Sequence, residues 1–223
     1  MSSADDVRYT AGILNLADAA RYLAVPRQTF HRWARGYPGG EPLIHTLDVA
    51  PGQAPVTFIA LTEAYVLEAL RDAGVRPQRI RPALRRLQRE FGTEYVLAAP
   101  ELATDGIDVL WDFSRSAEGE GLIEGSSGQH VLREIVEDYL RYVTRGDNGS
   151  PTRLQLRSFE PFKVVVDPRS GFGQPKFAGS GARVADVAAM LKAGEDAHVV
   201  AEEFGISVDD VRAAARVVLG RAA

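Results

Sequence analysis

Between Leu14 and Gly36 the apolar positions recur with a helical period in two short blocks. In the first, Leu16, Ala19, Ala20 and Leu23 share one face, and Asn15 stands where an N-cap belongs, so the pattern predicts a helix from about Asn15 to Leu23. Ala24-Val25-Pro26 interrupts it, and Pro26 suits the first position of a new helix because its missing N–H is not needed there. In the second block Phe30, Trp33 and Ala34 are the apolar positions and Gly36 is the stop signal. The two blocks read as a helix-turn-helix. Two strand-like runs follow, Leu43–Leu47 and Val56–Ala60, separated by the turn formers of Asp48–Pro55, and are expected to pair as a wing. A helix is expected to begin at Leu61 with Thr62 as cap and a stripe of Val66, Ala69, Leu70 and Ala73, ending at Gly74. Ile80, Leu84, Leu87 and Phe91 mark another, which starts or kinks at Pro82.

Farther on, Tyr95–Leu97 and Ile107–Trp111 read as strands, and Ser114–Gly128 as a loop. Val131, Leu132, Ile135, Val136, Tyr139, Leu140 and Val143 give an amphipathic helix from about His130 to Val143, closed by Gly146–Pro151. Leu154–Leu156 and Val164–Val166 are further strands. Val184, Val187, Ala188 and Leu191 make one helical stripe and Val199, Val200 and Phe204 a second. Gly205 then supplies a turn, Ser207 a cap, and Val208, Val211, Ala214, Ala215 and Val218 a third stripe. The expected fold class is α+β, mainly α. A winged helix-turn-helix domain occupies residues 1–100, an acidic connecting segment with a hairpin and a helix 101–150, and a three-helix helix-turn-helix module 151–223, with 114–128 as a competing cut.

The chemistry is concentrated on the second helix. Arg27, Gln28, Thr29, His31, Arg32 and Arg35 lie off its apolar face. Arginine can take the two acceptors of guanine bidentately, glutamine can do the same to adenine, and His31 or Arg35 can hold phosphates. The bland alternative is a helical hairpin with a solvated basic face. Arg76, Arg79, Arg81, Arg85, Arg86 and Arg89 leave the same choice between a phosphate-lining row and a solvated helix. Among the last 60 residues, the corresponding second helix carries Asp209, Asp210, Arg212 and Arg216, a poorer set for DNA.

The net charge of −4 over 223 residues does not itself point to nucleic acid, so its distribution decides. Residues 1–100 carry 12 Lys+Arg against 10 Asp+Glu, residues 101–160 carry 6 against 12, and the rest 8 against 8. The acidic middle either meets a basic protein partner or keeps the chain soluble. No cysteine occurs, which excludes disulfides, cysteine-bound zinc and thiol catalysis. Met1–Thr10 has no apolar signal core and no apolar run reaches membrane-spanning length, so a cytoplasmic protein without membrane contact is expected. Asp105, Asp108 and Asp112, and Glu134, Glu137 and Asp138, invite a magnesium reading, but they read better as surface carboxylates. His31, His45, His130 and His198 lack metal-ligand spacing, and the glycines of Gly171-Phe172-Gly173 and Gly179-Ser180-Gly181 read as turn formers rather than a phosphate loop. No catalysis, metal or cofactor is expected.

The order of helix-turn-helix, strand pair and further helices resembles the winged DNA-binding domain of MerR-like regulators. From Lys163 to about Leu219 the chain resembles a small module of bacterial antitoxins. The matching features are Val164-Val165-Val166-Asp167-Pro168, Gly173-Gln174-Pro175, the turn before Arg183, and the helices turned at Gly205. It departs from the module where a compact Gly-Thr-Arg becomes Gly179-Ser180-Gly181-Ala182-Arg183. The combination resembles the larger antitoxins of the VapB kind. That resemblance implies a PIN-type ribonuclease toxin as partner and repression of the shared operon at its promoter DNA, while a homodimer is expected because two recognition helices related by a dyad can contact two half-sites. For the toxin contact the acidic stretch and the C-terminal module are the parts not assigned to DNA, and within the module Phe177 is expected as an apolar anchor and Arg183 as a ligand for a toxin carboxylate, or else both are structural. The alternative function is a stand-alone MerR-like transcription regulator.

Overall fold

The computed structural model describes residues 6–37, 40–123 and 128–220. The chain forms two compact units, each assembled from separated stretches: one from Met1–Phe30, Leu47–Phe58 and Arg153–Ala223, the other from His31–Thr46 and Ile59–Thr152.

In the first unit a short helix α1 (Val7–Thr10), capped by Asp6, leads into strand β1 (Gly12–Leu14) and helix α2 (Leu16–Tyr22). Helix α3 (Arg27–Arg35) begins in this unit and continues into the other. Strand β2 (Val56–Thr57) pairs antiparallel with β1, Leu14 opposite Val56. The pair is very close: a Cβ on residue 12 would lie 1.8 Å from the Ala54 carbonyl oxygen, so only glycine fits. The expected strand at Leu43–Leu47 does not form, and β2 takes β1 as its partner. The wing of two strands after the second helix is therefore corrected.

The C-terminal half of the unit begins with strands β4 (Pro151–Gln155), β5 (Val164–Val166) and β6 (Lys176–Phe177), antiparallel in that order. All three valines of β5 are buried, as befits a central strand covered on both faces. Helices α8 (Val184–Ala193), α9 (Ala197–Phe204) and α10 (Val208–Ala214) follow, continued by a π-helical stretch Ala215–Leu219 that packs on α2 and α8. Gly205 at φ +61 makes the turn between α9 and α10, and Ser207 with Asp210 closes a capping box, as the pattern predicts.

The second unit is built around helix α4 (Phe58–Asp72), whose positions from Phe58 to Leu70 are all buried. The expected strand at Val56–Ala60 thus forms only at Val56–Thr57, and the expected cap Thr62 lies inside the helix with no exposed surface. A mostly apolar run fits a buried strand and a buried helix equally well, and here the helix begins at Phe58, ahead of its polar signals. Helices α5 (Arg81–Phe91), α6 (Ile107–Ser114) and α7 (Gln129–Leu140) belong to the same unit, and a π-helical stretch Leu102–Gly106 runs into α6. Pro82 sits in the first turn of α5, where it costs no hydrogen bond. Tyr95–Leu97 is a turn and Ile107–Trp111 lies in α6, not in strands. Ile107, Leu110 and Phe113 recur every three residues and are buried, and that period outweighs the local alternation. The expected helix from His130 to Val143 ends at Leu140, and strand β3 (Val143–Arg145) follows. Arg145 donates to the carbonyls of Ala98 and Gly149, both at 2.8 Å.

Glu68 and His45 in this unit are both shifted upward from their ordinary values. Burial raises Glu68 to about 7, against the pull of Arg71 at 2.5 Å. His45 donates from its backbone N to Glu63 Oε2 at 2.8 Å, and its Nδ1 meets Oε1 at 2.7 Å. Burial lowers the His45 pKa, but the hydrogen bond and charge of Glu63 outweigh it, so the net shift is upward. Both shifts have one sign. A carboxyl raised to about 7 favours the folded state at low pH and loses that advantage as pH climbs from the ordinary value of 4.5 towards 7. A raised histidine contributes fully below its ordinary value of 6.5 and loses that as pH passes its folded value. Urea unfolding at pH 5.5 and 8 (about 2.5 units apart) should show lower stability at the higher pH. Glu68→Gln should recover on the order of 2 kcal/mol at pH 8 and little at pH 5.5. Equal effects at both pH values would rule out the buried ionisation of Glu68.

Candidate nucleic-acid interface

The turn before α3 is set by the end of α2. Asn15 caps α2 at its start, its side chain accepting from the Asp18 N–H at 2.8 Å. At its end Val25 N–H reaches the Ala20 carbonyl at 2.9 Å and Ala24 N–H the Arg21 carbonyl at 3.1 Å, a Schellman closure with Ala24 in the left-handed region at φ 57. Alanine is strained there. Ala24→Gly should stabilise the protein by about 1 kcal/mol in thermal or urea unfolding, and a loss of stability would contradict that account of the turn.

The Pro26 carbonyl accepts from Phe30 N–H at 3.0 Å and opens α3. Phe30 and Trp33 have no exposed surface, and Ala34 is buried with them. Gly36 at φ +90 ends the helix, and a Cβ there would come 2.2 Å from the Gly40 carbonyl oxygen. The chain then returns to α3, Leu43 N–H donating to the Trp33 carbonyl at 2.7 Å.

Helix α3 exposes Arg27, Gln28, His31, Arg32 and Arg35, with Thr29 half-buried. The helix carries no acidic residue. Among the described residues none of its three arginines forms a salt bridge, whereas Arg21, Arg71, Arg133, Arg141, Arg183 and Arg212 each pair with a carboxylate on their own helix or at its cap. Binding a phosphate or a base edge at α3 thus requires no ion pair to break. Of the arginines around α5, Arg81 and Arg85 meet Glu41 at 3.2 and 3.3 Å, and Arg79 donates to the Glu120 carbonyl. Helix α10 is the opposite case, with Arg212 held by Asp209 at 3.0 Å and the exposed Glu202 and Glu203 just before the turn.

The two residues expected to meet a toxin are placed differently. Phe177 is 3% exposed, its ring edge-on to Phe159 at 6.5 Å, and Phe159 in turn stacks on Tyr22 at 6.2 Å. Burial pushes the Tyr22 phenol up to about 12. Phe177 is thus a core residue and has no apolar surface to offer. Arg183 is exposed at the start of α8 and pairs with Asp186 at 2.6 Å. The exposed aromatic of this region is instead Phe172, which sequence reasoning passed over as the middle of a glycine turn; its exposure is 89%. The sequence signal was present in the two flanking glycines.

The carboxylates weighed as magnesium ligands are spread over helices. Asp108 accepts from Gln129 at 2.6 Å and pairs with Arg133, and Asp138 pairs with Arg141. Among the described residues no three or more His, Asp or Glu side chains come together to hold a metal, and no helix is long and apolar enough to cross a membrane.

Residues 13–84, which contain α2, its turn and α3, match a family described as "Putative DNA-binding HTH domain". Residues 164–216 match DUF433, described as a protein of unknown function. The chain is 42% identical over 225 residues to "Putative antitoxin VapB45" of Mycobacterium tuberculosis (strain ATCC 25618 / H37Rv), covering 93% of this chain and 94% of that protein. It is 27% identical over 205 residues to "Uncharacterized protein Rv2308" of the same organism, with 88% and 85% covered. The X-ray crystal structure of Rv2018 from Mycobacterium tuberculosis superposes with a TM-score of 0.76 at 40% identity, covering 93% of this chain and 99% of that one.

Proposed function

Because the chain belongs to the family of the protein named "Putative antitoxin VapB45", we propose that it is an antitoxin that represses its own operon through α3 and neutralises a PIN-type ribonuclease toxin encoded beside it. The observation that carries the DNA half is the set of unpaired exposed cations on α3, inside the stretch that matches a DNA-binding domain family. Arg27, Gln28 and Arg32 read base edges, while Thr29, His31 and Arg35 position the helix on phosphates. The protein acts as a homodimer, since two copies of α3 related by a dyad contact half-sites roughly 34 Å apart. Light scattering at micromolar concentration should give the dimer mass, and a monomer that keeps full operator affinity would contradict it.

The toxin half is assigned to the C-terminal segment, with Arg183 as one contact and the Asp186 pairing exchanged for a toxin carboxylate. This segment packs on α2 within the first unit, so deleting it would expose the helix-turn-helix core. Point variants are therefore the informative tools. The test is anisotropy with the fragment upstream of the chain's own gene, followed by addition of the purified neighbouring protein. Tight, salt-sensitive operator binding together with a stable complex supports the proposal. Operator binding without a complex would leave a stand-alone regulator.

A further inference from the structure

Gly171, Phe172 and Gly173 have φ of 61, 55 and 70, three successive left-handed residues, and the central one is a phenylalanine. Non-glycine residues are strained there, and a fold keeps such a conformation only where its surroundings hold it. The surroundings here are well defined. Ser170 N–H donates to the Asp167 carbonyl at 3.0 Å, and Gln174 N–H to the Gly171 carbonyl at 3.0 Å. The Asp167 carboxylate accepts from Arg169 N–H at 3.0 Å and meets Arg153 at 3.5 Å. Gln174 donates from its side chain to the Ile13 carbonyl of β1, and a Cβ on residue 173 would come 2.5 Å from Ile13 Cγ2. The turn is thus fixed to β1, and its tip presents an aromatic ring to solvent at 89% exposure. Three residues before it in the chain is the exposed Arg169, whose guanidinium makes no hydrogen bond or salt bridge among the described residues and whose charge is felt by the Asp6 carboxylate.

We infer that Phe172 is the apolar anchor for the toxin, entering a pocket with an apolar floor and a carboxylate at its rim, against which Arg169 sets its guanidinium. The inference rests on the antitoxin reading and gives its protein contact a residue. A single aromatic held rigid in the binding conformation loses little freedom on docking, and such rings dominate protein interfaces. The exposed cation just before the turn favours an acidic rim over a neutral one. Phe172 replaces Phe177 in this role for a simple reason: one ring is available and the other is part of the core.

The test uses the full-length chain and the purified protein encoded in the adjoining reading frame, with affinity measured by calorimetry and stability by thermal unfolding. Asparagine tolerates the left-handed region and has no apolar ring. Phe172→Asn should keep or raise the thermal midpoint while weakening the complex about thirtyfold or more. Phe172→Trp should bind within about threefold of wild type, and Arg169→Gln, which removes the charge without adding a carboxylate near Asp6, should weaken binding while the fold is kept. Operator affinity should be unchanged in all three. Unchanged toxin affinity in Phe172→Asn, with wild type binding well, overturns this inference and leaves the antitoxin reading intact. So does a lowered thermal midpoint, which would make Phe172 a packing residue, or a selective loss of operator affinity, which would make it a wedge in DNA. A wild-type chain that does not bind the neighbouring protein overturns the inference and the toxin half of the proposed function together.

Discussion

An Arg27→Ala, Arg32→Ala double variant is expected to lose on the order of 100-fold or more of its affinity for the promoter fragment while folding as wild type. Both side chains are exposed on α3 and neither has a partner among the described residues, so their removal leaves no buried group there unsatisfied. Each bidentate contact to a base contributes about 1–3 kcal/mol of discrimination, and the two residues would read different base pairs, so their losses should add approximately. The loss should be confined to the cognate sequence. Arg35→Ala should instead weaken binding to all sequences alike and reduce the slope of log affinity against log salt by about one. Anisotropy with cognate and scrambled fragments separates the two patterns, and undiminished cognate affinity in the double variant would remove α3 from the role of reader.

Phe177→Ala is expected to cost about 3–5 kcal/mol of stability, a core effect rather than a binding effect. Its ring lies against Phe159, which has no exposed surface and stacks on Tyr22 of α2, so its loss opens a cavity in the unit that holds α2 and the start of α3. Operator binding and any toxin binding should therefore fall together as the fraction folded falls. Phe177→Leu, which refills most of the volume, should restore much of both. Wild-type unfolding midpoints in Phe177→Ala with toxin binding alone lost would return this residue to the interface.

The helix-turn-helix was legible because its signals are local. Asn15, Pro26 and Gly36 mark helix boundaries, and Phe30, Trp33 and Ala34 separate the buried face of α3 from its polar one. Gly205 and Ser207 did the same for α9 and α10. The misreadings came where local and tertiary preferences diverge. Val56–Ala60 is apolar apart from Thr57 and suits strand or helix, and the fold divides it, Val56 and Thr57 pairing in β2 and Phe58 opening α4. The pairing of β2 with β1 joins residues more than 40 positions apart, and no turn signal announces it. Phe172 and Phe177 are both aromatic residues in one glycine-rich stretch, and only the backbone, left-handed at one and extended in β6 at the other, decides which faces solvent.

The central claim, that this chain silences a neighbouring toxin, is tested most directly by growth of cells in which the adjoining reading frame is induced with and without it. The account predicts that growth arrests when the neighbour is induced alone and is restored when the full-length chain is co-expressed. Arrest that persists in the presence of the folded, operator-binding chain would contradict it.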